Sequence, residues 1–265
     1  MLHVLRDGCR LSYALEGNPQ APALMFSNSL GTTHELWAPQ VARLSSEFRV
    51  IRYDTRGHGG SDAPNGTYTV EMLGLDALAI LDAAGAPRAH LCGLSLGGLT
   101  AMWLGVHAPD RVESIILAST AARIRSALFW QERIELVKLS GILPLAEGTM
   151  GRWFTEAFRA SHPDIVARYR RMLESCPAEG YASCCAALRD ADLRGEIGGI
   201  AAPTLVIVGR HDPVTPPADA DAIRARIRGA QMTELDAAHL ANIEQPDEFN
   251  DRVLAFINEK RPMHG

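Results

Sequence analysis

Six short apolar runs, each too brief for a helix, constrain this chain more than any other feature. They are "ALMF" from Ala23, "FRVIRYD" from Phe48, "AHLCG" from Ala89, "VESIILAS" from Val112, "TLVIVG" from Thr204 and "AQMTELD" from Ala230. Near-continuous apolar runs of this length fit strands buried on both faces of a parallel sheet. Between several of them lie patterns of helical period, "TVEMLGLDALAILDAAG", "LGGLTAMWLGVHAP" and "PADADAIRARIRG". Strand and helix in alternation predict an α/β chain whose mainly parallel sheet carries helices on both faces. Ahead of them, "HVLRDGCRLSYALEG" reads as two strands turning at Asp7-Gly8, a hairpin at one sheet edge.

The alternation stops between about Ala122 and Glu196, where the period is helical and arginine and tryptophan are frequent. A helical insertion between two sheet strands is expected to cap the C-terminal edge of the sheet, where open α/β sheets bind ligands. The chain is therefore divided into a core (1–122), a helical cap (123–196) and the rest of the core (197–265), with "KRPMHG" expected as a frayed tail.

That edge holds the chemistry. "HLCGLSLGGLTA" places Gly93-Leu94-Ser95-Leu96-Gly97 between a strand-like and a helix-like run. A sharp strand-to-helix turn forces its central residue into unfavourable φ/ψ space, and flanking glycines remove the side chains that would clash there. The Ser95 hydroxyl is then exposed at a helix N-terminus, whose partial positive charge favours a developing anion. The blander reading is a capping serine among packing glycines. A nucleophilic serine also needs a base, and the base an orienting acid. Asp212 follows the run "TLVIVG" in a proline-bounded loop, and His239 follows the next strand. The order Ser95, Asp212, His239 is the nucleophile, acid, base order of one hydrolase architecture. Asp219 and Asp221 sit at a helix start and are poorer acids; Asp236, closer to His239 in sequence, is a weaker alternative.

With these residues in view, the chain resembles the α/β-hydrolase superfamily throughout. "YDTRGHGGSD" matches that family's glycine-rich turn after the fourth strand, with Arg56, His58 and Ser61 as structural residues. Within the superfamily the core looks most like the 3-oxoadipate enol-lactonases, on "SNSLGT", "RYDTRGHGGSD", "CGLSLGGL" and "GRHDPVTPP". Most relatives carry His-Gly where this chain has Ser27-Asn28. The resemblance implies oxyanion-hole amides at Ser29 and Leu96, an acyl-enzyme on Ser95, and neither metal nor organic cofactor. It also implies a small lactone substrate bearing a carboxylate, from the catabolism of aromatic compounds. Trp130 and Arg133 are three apart and share a helix face. Arg133 is the expected carboxylate partner, with Trp130 or Trp153 walling the pocket. Enzymes of the same fold offer alternatives, as carboxylesterases, C–C bond hydrolases or cofactor-free perhydrolases, and the triad cannot choose among them. A ligand sensor with little turnover is the reading from a different class.

Charge narrows the partners. Net charge is -5 and the pI about 6.0, so no global basic field draws the chain to nucleic acid or anionic lipid. The five cysteines have no zinc-site spacing and two are adjacent, which suits buried thiols in a reducing compartment. The N-terminal segment lacks the basic region and apolar core of a signal peptide, and no apolar run reaches membrane-span length. A cytoplasmic protein, monomeric or a small homo-oligomer, is expected.

Overall fold

The structure is a computed structural model that describes residues 1–260, the last of them by its backbone alone. The chain from 261 onward, part of the expected tail, lies outside the described residues. The hairpin strands β1 (Leu2–Arg6) and β2 (Cys9–Glu16) are followed by β3 (Ala23–Ser27), α1 (Ala38–Leu44) and β4 (Arg49–Tyr53). Then come α2 (Val70–Ala83), β5 (Ala89–Leu94), α3 (Leu96–His107) and β6 (Val112–Ala118). Five helices succeed one another without a strand: α4 (Ala127–Ser140), α5 (Ala146–Trp153), α6 (Glu156–Ser161), α7 (Pro163–Glu174) and α8 (Ala178–Asp190). The sheet resumes with β7 (Thr204–Gly209), α9 (Pro217–Arg226) and β8 (Gln231–Leu235), and the described chain closes with α10 (Ala241–Glu244) and α11 (Pro246–Lys260). Helices α1 and α11 lie in stretches where no helix was expected from sequence.

The eight strands form one sheet in the order β1-β2-β4-β3-β5-β6-β7-β8. The β1–β2 and β2–β4 pairs are antiparallel and the rest are parallel, so the hairpin occupies one edge as expected. Every residue of β5 and of β7 is buried. Because successive side chains alternate across a strand, full burial requires cover on both faces. Helix α3 packs over β3, β5 and β6, and α9 over β7 and β8.

The topology makes the site. From β3 the chain moves outward to β4, then crosses back to β5 on the other side of β3. The loops leaving β3 and β5 therefore diverge at a switch point of the strand order, which in such sheets opens a crevice at the strand C-termini. Ser27 pairs in register with Gly93 at this point, so the Ser27–Gly31 loop and the turn at Ser95 leave the sheet side by side.

Candidate active site

Ser95 is the residue between β5 and α3, with φ 57° and ψ −111°. A non-glycine residue in this region is strained and persists only where surrounding structure enforces it. Here the enforcement is by close approach. A Cβ on Gly97 would lie 2.1 Å from the Ser27 carbonyl oxygen, and one on Gly93 would lie 2.1 Å from the Gly97 carbonyl oxygen. The Ser95 amide donates to the Ala118 carbonyl (3.0 Å), and the Thr120 hydroxyl donates to the Ser95 carbonyl (2.8 Å), which ties the turn to the end of β6. Ser95 Oγ has no hydrogen-bond partner among the described residues; Ser95 borders a cavity that His239 also lines.

Asp212 and His239 meet although 27 residues separate them, with His239 Nδ1 2.7 Å from Asp212 Oδ2. Both side chains are almost fully buried. Asp212 Oδ2 also accepts from the Thr215 hydroxyl, and Oδ1 from the Val214 and Thr215 amides. Burial pushes the Asp212 carboxyl up. The His239 charge and these hydrogen bonds outweigh it, and the net pKa lies below the ordinary carboxylate value. A carboxylate so held fixes the His239 ring with Nδ1 as donor and leaves Nε2 as the basic nitrogen. Among the described residues, none of the alternative acids bonds His239: exposed Asp236 bonds His211 (2.8 Å), Asp221 pairs with Arg224, and Asp219 makes no hydrogen bond or ion pair with it.

The loop after β3 is held from below. Ser27 Oγ is 2.6 Å from the Tyr53 hydroxyl, Asn28 Nδ2 donates to the Tyr53 carbonyl (2.6 Å), and Trp37 Nε1 donates to Asn28 Oδ1 (3.0 Å). Ser27 and Asn28 thus turn into the core and shape the loop. The Gly31 amide donates to His58 Nε2 (2.9 Å), which gives His58 a structural task, while a buried bidentate pair joins Arg56 to Asp76. The Ser29 amide has no acceptor among the described residues. Leu96 is the first residue of α3, where an amide lacks an intrahelical acceptor.

The cavity has a volume of about 120 Å³. This is well below the roughly 300–1,000 Å³ that accommodates drug-sized ligands, so it suits a small molecule. Trp130, Arg133 and Trp153 all line it, and so do Arg125, Arg152 and Tyr181. Trp130 donates its indole N–H to the Ile124 carbonyl (2.6 Å), while Arg133 touches the Tyr181 hydroxyl (3.4 Å) and lies over the Phe129 ring. Arg152 bonds Thr149 Oγ1 (2.9 Å), and Arg125 bonds the Pro213 carbonyl. Among the described residues, none of these three arginines is paired with a carboxylate. Burial, followed by the Arg133 and Arg125 charges, holds Arg152 below the usual guanidinium range. A larger recess of about 540 Å³ adjoins this cavity and shares Arg125 and Val214 with it, but it contains neither Ser95 nor His239.

Residues 22–246 match the family described as the alpha/beta hydrolase fold. The chain belongs to the α/β-hydrolase family. It is 45% identical to "3-oxoadipate enol-lactonase 2" of Acinetobacter baylyi over 93% of this chain and 92% of that one. Among solved structures it resembles the enol-lactonase from Burkholderia xenovorans LB400, with a TM-score of 0.95 and 44% identity, covering 97% of this chain and 100% of that one. A thermophilic esterase from Thermogutta terrifontis superposes with a TM-score of 0.93 at 27% identity, over 99% and 100% of the two chains.

In this α/β-hydrolase, Arg125 and Arg152 escaped sequence reasoning. The only available signal was the arginine-rich character of the segment, which does not say which arginines face inward. Among the described residues, all five cysteines are buried and free, no cluster of three or more His, Cys, Asp or Glu side chains is arranged to hold a metal, and no helix is long and apolar enough to cross a membrane.

Proposed function

We propose that this hydrolase opens 3-oxoadipate enol-lactone to 3-oxoadipate through a Ser95–His239–Asp212 triad and an acyl-enzyme. The observation that carries the substrate class is the wall of Arg125, Arg133 and Arg152, without carboxylate partners among the described residues, around a small cavity bordered by Ser95. Similarity to enol-lactonases at 45% identity supports the same reading.

Ser95 Oγ transfers its proton to His239 Nε2 as it attacks the lactone carbonyl, while Asp212 stabilises the imidazolium. The Ser29 and Leu96 amides receive the negative charge on the carbonyl oxygen; one such donor is worth about 10²–10³ in rate. Collapse of the tetrahedral intermediate breaks the ring C–O bond and expels an enolate, which takes a proton and becomes a ketone. Water, deprotonated by His239, attacks the Ser95 ester and releases the second carboxylate and the serine. Helices α4 to α8 act as a cap, and Arg133 and Arg152 hold the carboxylate the substrate already carries, with Trp130 and Trp153 as apolar walls.

The test compares kcat/KM for the enol-lactone with that for simple esters lacking a carboxylate, in wild type and Ser95→Ala. A clear preference for the lactone that vanishes in Ser95→Ala is expected. Equal rates on both substrate types would reduce the reading to an unspecialised serine esterase.

A further inference from the structure

Glu244 is a buried carboxylate with an unusual set of partners. Its Oε1 accepts from the Ala238 amide (2.9 Å) and the Thr155 amide (3.1 Å), and its Oε2 accepts from the Thr155 hydroxyl (2.7 Å). Among the described residues no cation pairs with it. One carboxylate therefore joins two distant chain segments, Ala238, the residue just before His239, and Thr155, the N-cap of α6, which lies 89 positions before Glu244. On the other side of His239, the Leu240 amide donates to the Trp153 carbonyl (3.0 Å). The backbone is thus pinned immediately before and immediately after the histidine, in both cases to the α5–α6 junction that also supplies Trp153 to the cavity wall.

We infer that Glu244 is a positioning residue that fixes the His239 loop against the α5–α6 junction, so that placement of the general base depends on the helices covering the site. This rests on reading His239 as the base for Ser95. Three neutral donors satisfy the carboxylate, so its reach matters and its charge does not. Glutamine keeps that reach: its carbonyl accepts the two amides, and its NH₂ donates to Thr155 Oγ1. Aspartate keeps the charge but is one methylene too short to hold both segments.

The experiment measures kcat and KM for p-nitrophenyl acetate per folded molecule, with the folded fraction taken from thermal melts, in wild type, Ser95→Ala, Glu244→Asp and Glu244→Gln. Glu244→Asp is expected to lose about ten- to hundredfold in kcat with KM changed less than about threefold, the scale of a base displaced by up to an ångström. Glu244→Gln is expected to retain most of kcat. A merely structural glutamate would lower the melting temperature and leave kcat per folded molecule unchanged in Glu244→Asp, and that result overturns the inference. Equal losses in the two Glu244 variants overturn it as well, because charge would then be what matters. Wild-type turnover that survives Ser95→Ala would overturn the reading of the site itself, an outcome separable from the other two.

Discussion

Trp37 donates its indole N–H to Asn28, and Asn28 donates in turn to the Tyr53 carbonyl, so one buried side chain joins the loop after β3 to two neighbouring segments. Asn28→Ala leaves the Trp37 N–H and the Tyr53 carbonyl unpaired. An unsatisfied buried group costs about 1–3 kcal/mol, so a loss of at least that order in urea unfolding is expected. The Ser29 amide is next along the chain, so kcat on p-nitrophenyl acetate should fall in the same variant. Full activity in a destabilised Asn28→Ala protein would show that the loop's position does not matter to the chemistry.

Gly97→Ala tests the close approach at the turn. The added Cβ would sit 2.1 Å from the Ser27 carbonyl, a backbone atom that cannot rotate away. The turn at Ser95 and the β3 loop must separate, and the folded fraction should lose at least about a hundredfold in kcat, the scale of an ångström-sized misplacement. Gly195→Ala, where nothing lies within 4 Å, serves as the control and should behave as wild type.

Arg133→Ala and Arg152→Ala should each raise KM for the carboxylate-bearing lactone. Hydrogen bonds to charged groups contribute about 1.5–3 kcal/mol, which corresponds to roughly 10–150-fold. KM for a neutral ester should stay within about twofold, because the same arginines then face no anion. Unchanged lactone KM in both variants would remove these residues from substrate recognition.

Stability should fall with acidification below neutrality in part through His58. Burial lowers its pKa, and its Nε2 accepts the Gly31 amide only in the neutral form. The unfolded chain takes up a proton near the free imidazole value of about 6.5, whereas the folded chain resists it until lower pH. Below that value the unfolded state binds more protons, so stability rises with pH there. The contribution is complete above about 6.5 and is lost as pH falls toward the depressed folded pKa. Urea unfolding at pH 7 and pH 5 in wild type and His58→Gln checks this: the wild-type drop should exceed that of the variant.

The strands, the strained turn at Ser95 and the loop positions of Asp212 and His239 were readable from sequence because each depends on neighbours a few residues away. Alternation and apolar run length mark a buried strand, and G-x-S-x-G between strand and helix marks a strained turn. The sheet order then brings separate loops to one edge by topology alone, which is why Asp212 and His239 could be paired in advance. Tertiary structure decided what depends on which way a side chain turns. The sequence does not settle whether Ser27 and Asn28 bond a substrate or shape the turn, and in the fold they point to Tyr53 and Trp37. Arginine is common in the segment covering the site, yet only packing shows that Arg125, Arg133 and Arg152 converge on one cavity. Glu244 closes the short helix α10, and only the folded chain brings Thr155 and Ala238 to its carboxylate. Periodicity encodes which face of an element is buried, but the partners met there come from distant segments and are fixed only when the layers pack.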